Sequence, residues 1–168
     1  MSGPQQTQSV APSPTILVVD EETSVRRLCR TLLEQAGFTV IEADGSSEAL
    51  KACTHHEGSL DLLITALTLP PPSFQIASSS NQFPHVHGYD LAVRAATIRP
   101  GLRVILMSGN PDKELVSYGI TGTTLPTLAK PFDQNGLVSL VQEVLRKPAP
   151  DLDSTSQEKA ANDAEWFG

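Results

Sequence analysis

Asp20 and Glu21 stand side by side directly after the apolar run TILVV, Ser108 precedes Gly109 after LRVILM, and Lys130 precedes Pro131 near the end of the chain. Two carboxylates, a hydroxyl and an amine can hold charge or move it once a fold gathers them. Ala66, which closes the run LDLLIT, offers only a methyl group, which can neither attack an electrophile nor give a metal ion a ligand atom. Each of these positions also has a plainer role. Acids between a strand and a helix complement the helix macrodipole, Ser-Gly is ordinary turn chemistry, and lysines are mostly solvated. Thr65 and Thr68 flank the alanine, but alternate strand residues face opposite sides and neither hydroxyl has a base to activate it. His85 and His87 form an H-x-H pair that lacks the further ligands a zinc site needs, and His55 and His56 read as a polar helix end.

What would bring the reactive groups together is a repeating order of strands and helices. TILVVD, FTVIEA, LDLLIT and LRVILM are short β-branched or apolar runs of the kind found in strands covered on both faces. TTLPTLAKPF is a weaker strand, because Pro126 cannot donate to a ladder and belongs at an edge or a strand's beginning. Between the first two runs, SVRRLCRTLLEQAG places Val25, Leu28, Leu32, Leu33 and Ala36 in the rhythm of an amphipathic helix, and Gly37 suits the left-handed residue that ends one. SSEALKAC is a short helix with a serine to cap it, and GYDLAVRAATI stops at Pro100-Gly101. Asn110 and Pro111 supply a cap and a first-turn proline for DKELVSYG. Asp133 caps DQNGLVSLVQEVLRK and Pro148 stops it. Strands alternating with helices imply an α/β domain, a doubly wound parallel sheet with right-handed crossovers and helices on both faces. Chemistry in such sheets gathers at the carboxyl ends of the strands, the edge that holds Asp20, Glu21, Ala66, Ser108 and Lys130.

Composition bounds the rest. A chain of 168 residues, 39% hydrophobic, can bury a core without disulfides or metal. A net charge of −7 and the lack of a basic stripe argue against nucleic acid, and no apolar run approaches the roughly 20 residues of a membrane span. Cys29 and Cys53 fall in helical patterns and read as buried free thiols of a reducing, cytoplasmic setting. Residues 1–13 and the acidic stretch 148–168 have the composition of disordered tails; Trp166 and Phe167, near the end of the second, are a candidate anchor. Residues 70–87, PPPSFQIASSSNQFPHVH, form an insertion far longer than the usual connection of about 2–6 residues. It reads as a solvated excursion, or as a docking loop anchored by Phe74 and Phe83.

The pieces ILVVDEETSVRRL, ALKAC, DLLIT, RPGLRVILMSG and LAKPF, in this order, resemble the receiver domains of bacterial response regulators. The likeness covers residues 14–147 and is strongest to receivers that stand alone or end hybrid sensor kinases. It implies a flavodoxin-like five-stranded parallel sheet of order 2-1-3-4-5. It also implies a reaction: transfer of a phosphoryl group from a phosphohistidine to an aspartate at the end of the third strand. Such transfer needs a carboxylate nucleophile, Mg²⁺ to neutralise phosphoryl oxygens, and donors to hold them. By resemblance Asp20 and Glu21, with the carbonyl of Thr68, are the metal ligands, Lys130 bridges to the phosphoryl group, Ser108 is the hydroxyl that swings toward it, and Pro131 follows a cis peptide.

Two positions depart from the family pattern. Ala66 stands where the nucleophile belongs, and Thr127 stands three residues before the lysine, where many receivers place an aromatic switch residue. The site has lost one negative charge, so weakened Mg²⁺ binding and a lysine paired with Asp20 or Glu21 are expected. The expected function is that of a single-domain pseudo-receiver in two-component phosphorelay signalling. It would be an interaction module and not an enzyme, its partner a sensor histidine kinase or another response regulator, with a homodimer left open. With no helix-turn-helix following, direct control of transcription is not expected. Two rival readings stand: a receiver phosphorylated at an unusual residue, and a Mg²⁺-dependent phosphatase of the haloacid-dehalogenase type. The latter also begins with a strand ending in aspartate but wants a second aspartate where this chain has Glu22.

Overall fold

The computed structural model describes residues 13–69, 87–117 and 125–149. The expected tails and the insertion, with Phe74, Phe83, His85, Trp166 and Phe167, lie outside the described residues but for their margins. In chain order the elements are β1 (Thr15–Val19), α1 (Thr23–Gln35), β2 (Thr39–Ala43), α2 (Ser46–His55), β3 (Leu62–Ala66), α3 (His87–Ile98), β4 (Arg103–Ser108), α4 (Pro111–Ser117), β5 (Thr127–Ala129) and α5 (Gln134–Arg146). The five strands form one sheet of order β2-β1-β3-β4-β5, and every pairing is parallel.

Side-chain alternation along the strands divides the interior in two. Leu17, Val19, Leu63 and Leu106 face α2 and α3, where they meet Ala49, Cys53, Leu91 and Ala95. Ile16, Val18, Leu62, Ile64, Ile105 and Met107 face α1 and α5, against Cys29, Leu33, Leu137 and Val141. Because both faces are covered, β1 and β3 are buried at every position, which is why their sequences read as unbroken apolar runs rather than as alternation. Truncating one of these fully buried side chains, such as Ile64→Ala, costs about 2–5 kcal/mol.

Several helix ends follow local chemistry. Gly37 takes a φ of +99° and its N–H donates to the carbonyl of Glu34 at 3.0 Å, the left-handed termination expected for α1. The Asp133 carboxylate accepts from the Gly136 N–H at 2.7 Å and caps α5. Pro111 is the first residue of α4, and the Asn110 carbonyl accepts from the Glu114 N–H at 2.9 Å. The serine cap expected for α2 is not formed: Gly45 is the cap residue, and Ser46 already lies inside the helix. The Ser46 hydroxyl is buried with no partner. Leu28, expected on the apolar face of α1, is 45% exposed. The buried stripe of that helix centres on Cys29 and Leu33, one turn apart, and Leu28 falls at its edge.

Candidate functional site

β1 ends in the middle of the sheet, and its next residue, Asp20, is only 2% exposed. The backbone there is fastened on both sides, because the Asp20 N–H donates to the Ala43 carbonyl at 3.2 Å and its carbonyl accepts from the Arg26 guanidinium at 2.6 Å. Arg26 is itself held by Glu42 on β2 at 3.2 Å. Both carboxylate oxygens of Asp20 are engaged. Oδ1 accepts from the Glu22 N–H at 2.9 Å, and Oδ2 lies 2.7 Å from Lys130 Nζ.

Lys130 comes from the opposite side of the sheet. It follows β5, the edge strand, and its N–H donates to the Ser108 carbonyl at 2.8 Å; its peptide bond to Pro131 is cis. In the order β1-β3-β4-β5, with strands about 4.8 Å apart, an ion pair from the end of β5 to the end of β1 must cross the ends of β4 and β3. Ala66, the last residue of β3, is 3% exposed and lies on that path. The sequence expectation of a lysine paired with Asp20 or Glu21 is met by Asp20; Glu21 is exposed. Thr68 is half-buried just past β3, and Thr127 half-buried at the start of β5.

Ser108 closes β4 and is 4% exposed. Its hydroxyl donates to the Glu114 carboxylate of α4 and accepts from the Asn110 N–H at 3.1 Å. The hydroxyl therefore turns toward α4. Glu114 is a site residue that sequence reasoning missed; the only available signal was its place inside the helix that follows Ser108-Gly109. Gly88 was missed as well. Its N–H donates to the Leu67 carbonyl at 3.1 Å, and a Cβ built on it would stand 1.8 Å from the Ala66 carbonyl oxygen. Only a residue without a side chain lets α3 seat against the end of β3. Thr65, fully buried, donates its hydroxyl to the same Ala66 carbonyl at 3.0 Å, so it is occupied structurally.

The electrostatics of the pocket reach the core beneath it. Burial, and after it the charge of Asp20, pushes the Cys29 thiol up to about 12, so the thiol stays protonated at neutral pH.

A Mg²⁺ ion wants one or two carboxylates with free oxygens and otherwise mostly water. In this pocket the ammonium of Lys130 occupies Asp20 Oδ2 and the Glu22 N–H occupies Oδ1, Glu21 is exposed, and Ala66 has no oxygen on its side chain. Among the described residues no group of three or more His, Cys, Asp or Glu is placed to hold a metal. As arranged, Asp20 has both oxygens engaged and Ala66 supplies none, so neither offers such an ion an unengaged ligand atom.

Comparison with known proteins gives this arrangement a family. The profile described as Response regulator receiver domain matches residues 16–142. The DNA-binding transcriptional regulator NtrC of Azospirillum brasilense is 29% identical over 136 residues, which cover 81% of this chain and 25% of that protein. Response regulator receiver protein CpdR of Brucella abortus is 26% identical over 136 residues, covering 77% of this chain and 95% of CpdR. The chain thus spans about a quarter of the NtrC relatives it matches and nearly all of CpdR. The crystal structure of the receiver domain from the hybrid histidine kinase CckA superposes with a TM-score of 0.58 at 27% identity, covering 78% of this chain and 98% of that one. Among the described residues no helix is long and apolar enough to cross a membrane. Matched from β1 into α5, and folded with the same strand order that its sequence implied, the chain belongs to the response regulator receiver domain family of two-component signalling.

Proposed function

We propose that this chain is a pseudo-receiver: a receiver domain with Ala66 at the phosphoacceptor position, which signals by binding a sensor kinase or another response regulator and not by accepting a phosphoryl group. The observation that carries this reading is the ion pair between Lys130 and Asp20, 2.7 Å long and laid across the end of the strand that Ala66 closes. A methyl group has no lone pair with which to attack phosphorus. The two charged groups a receiver would aim at a phosphoryl group and its metal instead satisfy each other. Ser108 is likewise engaged by Glu114, so the pocket rests in one internally paired arrangement. Kinship with a hybrid kinase's receiver and with a receiver protein that the match covers almost entirely supports a partner within the same signalling class.

Incubation with acetyl phosphate and Mg²⁺, followed by intact-mass measurement, tests the reading. The native chain should gain no phosphate, while Ala66→Asp should gain one, on residue 66, stable in acid and labile in base. A stoichiometric phosphate on any residue of the native chain overturns the proposal.

A further inference from the structure

At the end of the sheet opposite the pocket, a groove of about 250 Å³ opens between α5 and the starts of β4 and β5. Val104, Pro126, Leu140 and Val144 give it an apolar wall, and Arg103, Glu143 and Lys147 a charged rim of net positive sign in which Lys147 pairs with Glu143 at 3.0 Å. Its frame is fixed, since the Arg103 guanidinium donates to the Lys147 carbonyl at 2.8 Å and so ties the head of β4 to the end of α5. The volume falls below the roughly 300–1,000 Å³ of small-molecule pockets and suits a single aromatic side chain. Pro148 also lines the groove, so the C-terminal segment departs from its mouth.

That segment carries a matching chemistry. Residues 150–168 hold the chain's single tryptophan, Trp166, followed by Phe167 and preceded by Asp163 and Glu165. Tyrosine and tryptophan side chains bury about 150–250 Å² each and bring that area into an interface at little entropic cost. The two acids carry the charge opposite to Arg103, the rim cation that Glu143 does not pair. Length is no obstacle: the 17 residues that follow Ala149, up to Trp166, span up to roughly 55 Å when extended, far more than a return to the groove beside their origin requires.

We propose that the segment Asp163–Phe167 docks intramolecularly in this groove, with the Trp166 indole against Leu140 and Val144 and its acids toward Arg103 and Lys147.

Because Trp166 is the only tryptophan, the full chain reports on itself through its fluorescence. Relative to a free peptide of residues 150–168, the native chain should show a blue-shifted emission and a severalfold lower acrylamide quenching constant, both independent of protein concentration. Leu140→Glu should abolish both differences. Lys147→Glu, at a side chain 65% exposed whose pair with Glu143 it also breaks, should weaken them and reduce their sensitivity to salt. The proposal is overturned if the native emission and quenching equal those of the peptide. It is overturned equally if protection survives both substitutions, which puts the indole elsewhere, or if protection develops only as concentration rises, which makes the occupied groove that of a second copy.

Discussion

Lys130 Nζ and Asp20 Oδ2 meet at 2.7 Å although 110 residues separate them in sequence and two strands separate them in the sheet. Asp20 is nearly sealed from water, with its side chain 2% exposed against 23% for the lysine. The ammonium is therefore the main compensation for a carboxylate that burial would otherwise penalise.

Removing the lysine exposes this dependence. Lys130→Met leaves Asp20 with only the Glu22 N–H and should destabilise the domain by about 3 kcal/mol, in the range for a buried charge deprived of its partner. It should also open the acid to cations. Mg²⁺ should raise the melting temperature of Lys130→Met by mass action and leave the native chain unmoved; thermal melts with and without millimolar Mg²⁺ check this. A native chain that Mg²⁺ stabilises as strongly as the variant contradicts the paired pocket.

Gly88 offers a second, steric test beside the same site. A methyl group there would overlap the Ala66 carbonyl, and the oxygen cannot yield without moving the end of β3. Gly88→Ala should cost about 3 kcal/mol or more, the upper range for overpacking, as read from urea denaturation. Ala92→Gly, further along the same helix, should cost less, about 2 kcal/mol for backbone propensity together with the loss of one buried methyl.

Much of this was legible beforehand because it is written in local periodicity. TILVV and LDLLIT could be assigned to a doubly covered sheet from their unbroken apolar character, and Gly37 and Asp133 marked helix ends through their own backbone and side-chain chemistry. Asp20, Ala66, Ser108 and Lys130 could be placed together because a parallel sheet sends every strand's carboxyl end to one edge. What remained hidden depends on partners that sequence spacing does not set. Glu114 matters through the rotamer of Ser108, and Gly88 through the approach of a helix to a strand end 22 positions earlier, across the insertion. Ser46 misled because Gly45, Ser46 and Ser47 are all acceptable caps, and the helix starts one residue after Gly45.

Arg99 belongs to the same hidden class. From the end of α3 it donates to the carbonyls of Cys53 and Gly58, each at 2.8 Å, and to that of His56. One guanidinium thus satisfies orphan acceptors at the C-terminus of α2, where positive charge also suits the macrodipole. Arg99→Ala should cost about 3 kcal/mol by chemical denaturation, at about 1 kcal/mol for each bond. Arg99→Lys should recover only part of it, because an ammonium lacks the planar fork that reaches three carbonyls at once. Hydrogen exchange should localise the loss to residues 53–58.

The buried thiols make the fold less stable at alkaline pH. Cys29 is raised from its ordinary 9.0 to about 12 by burial first and the charge of Asp20 second, and Cys53 is raised by burial. A raised thiol keeps its proton in the folded chain after the unfolded chain has released it. Its contribution is therefore complete below pH 9.0 and is lost as pH climbs toward 12. Through that window Cys29 alone should lower the unfolding free energy by about 1.4 kcal/mol per pH unit. Cys29→Ala should begin less stable at pH 7, having lost a packed sulfur, and then decline less steeply above pH 9.0, so the two curves converge. Parallel curves from urea titrations at successive pH values would show that the thiol titrates no differently in the folded chain. Below pH 9.0 neither cysteine of the native chain should react with a thiol-specific disulfide reagent until the domain unfolds, since the nucleophile is the thiolate and both sulfurs are buried.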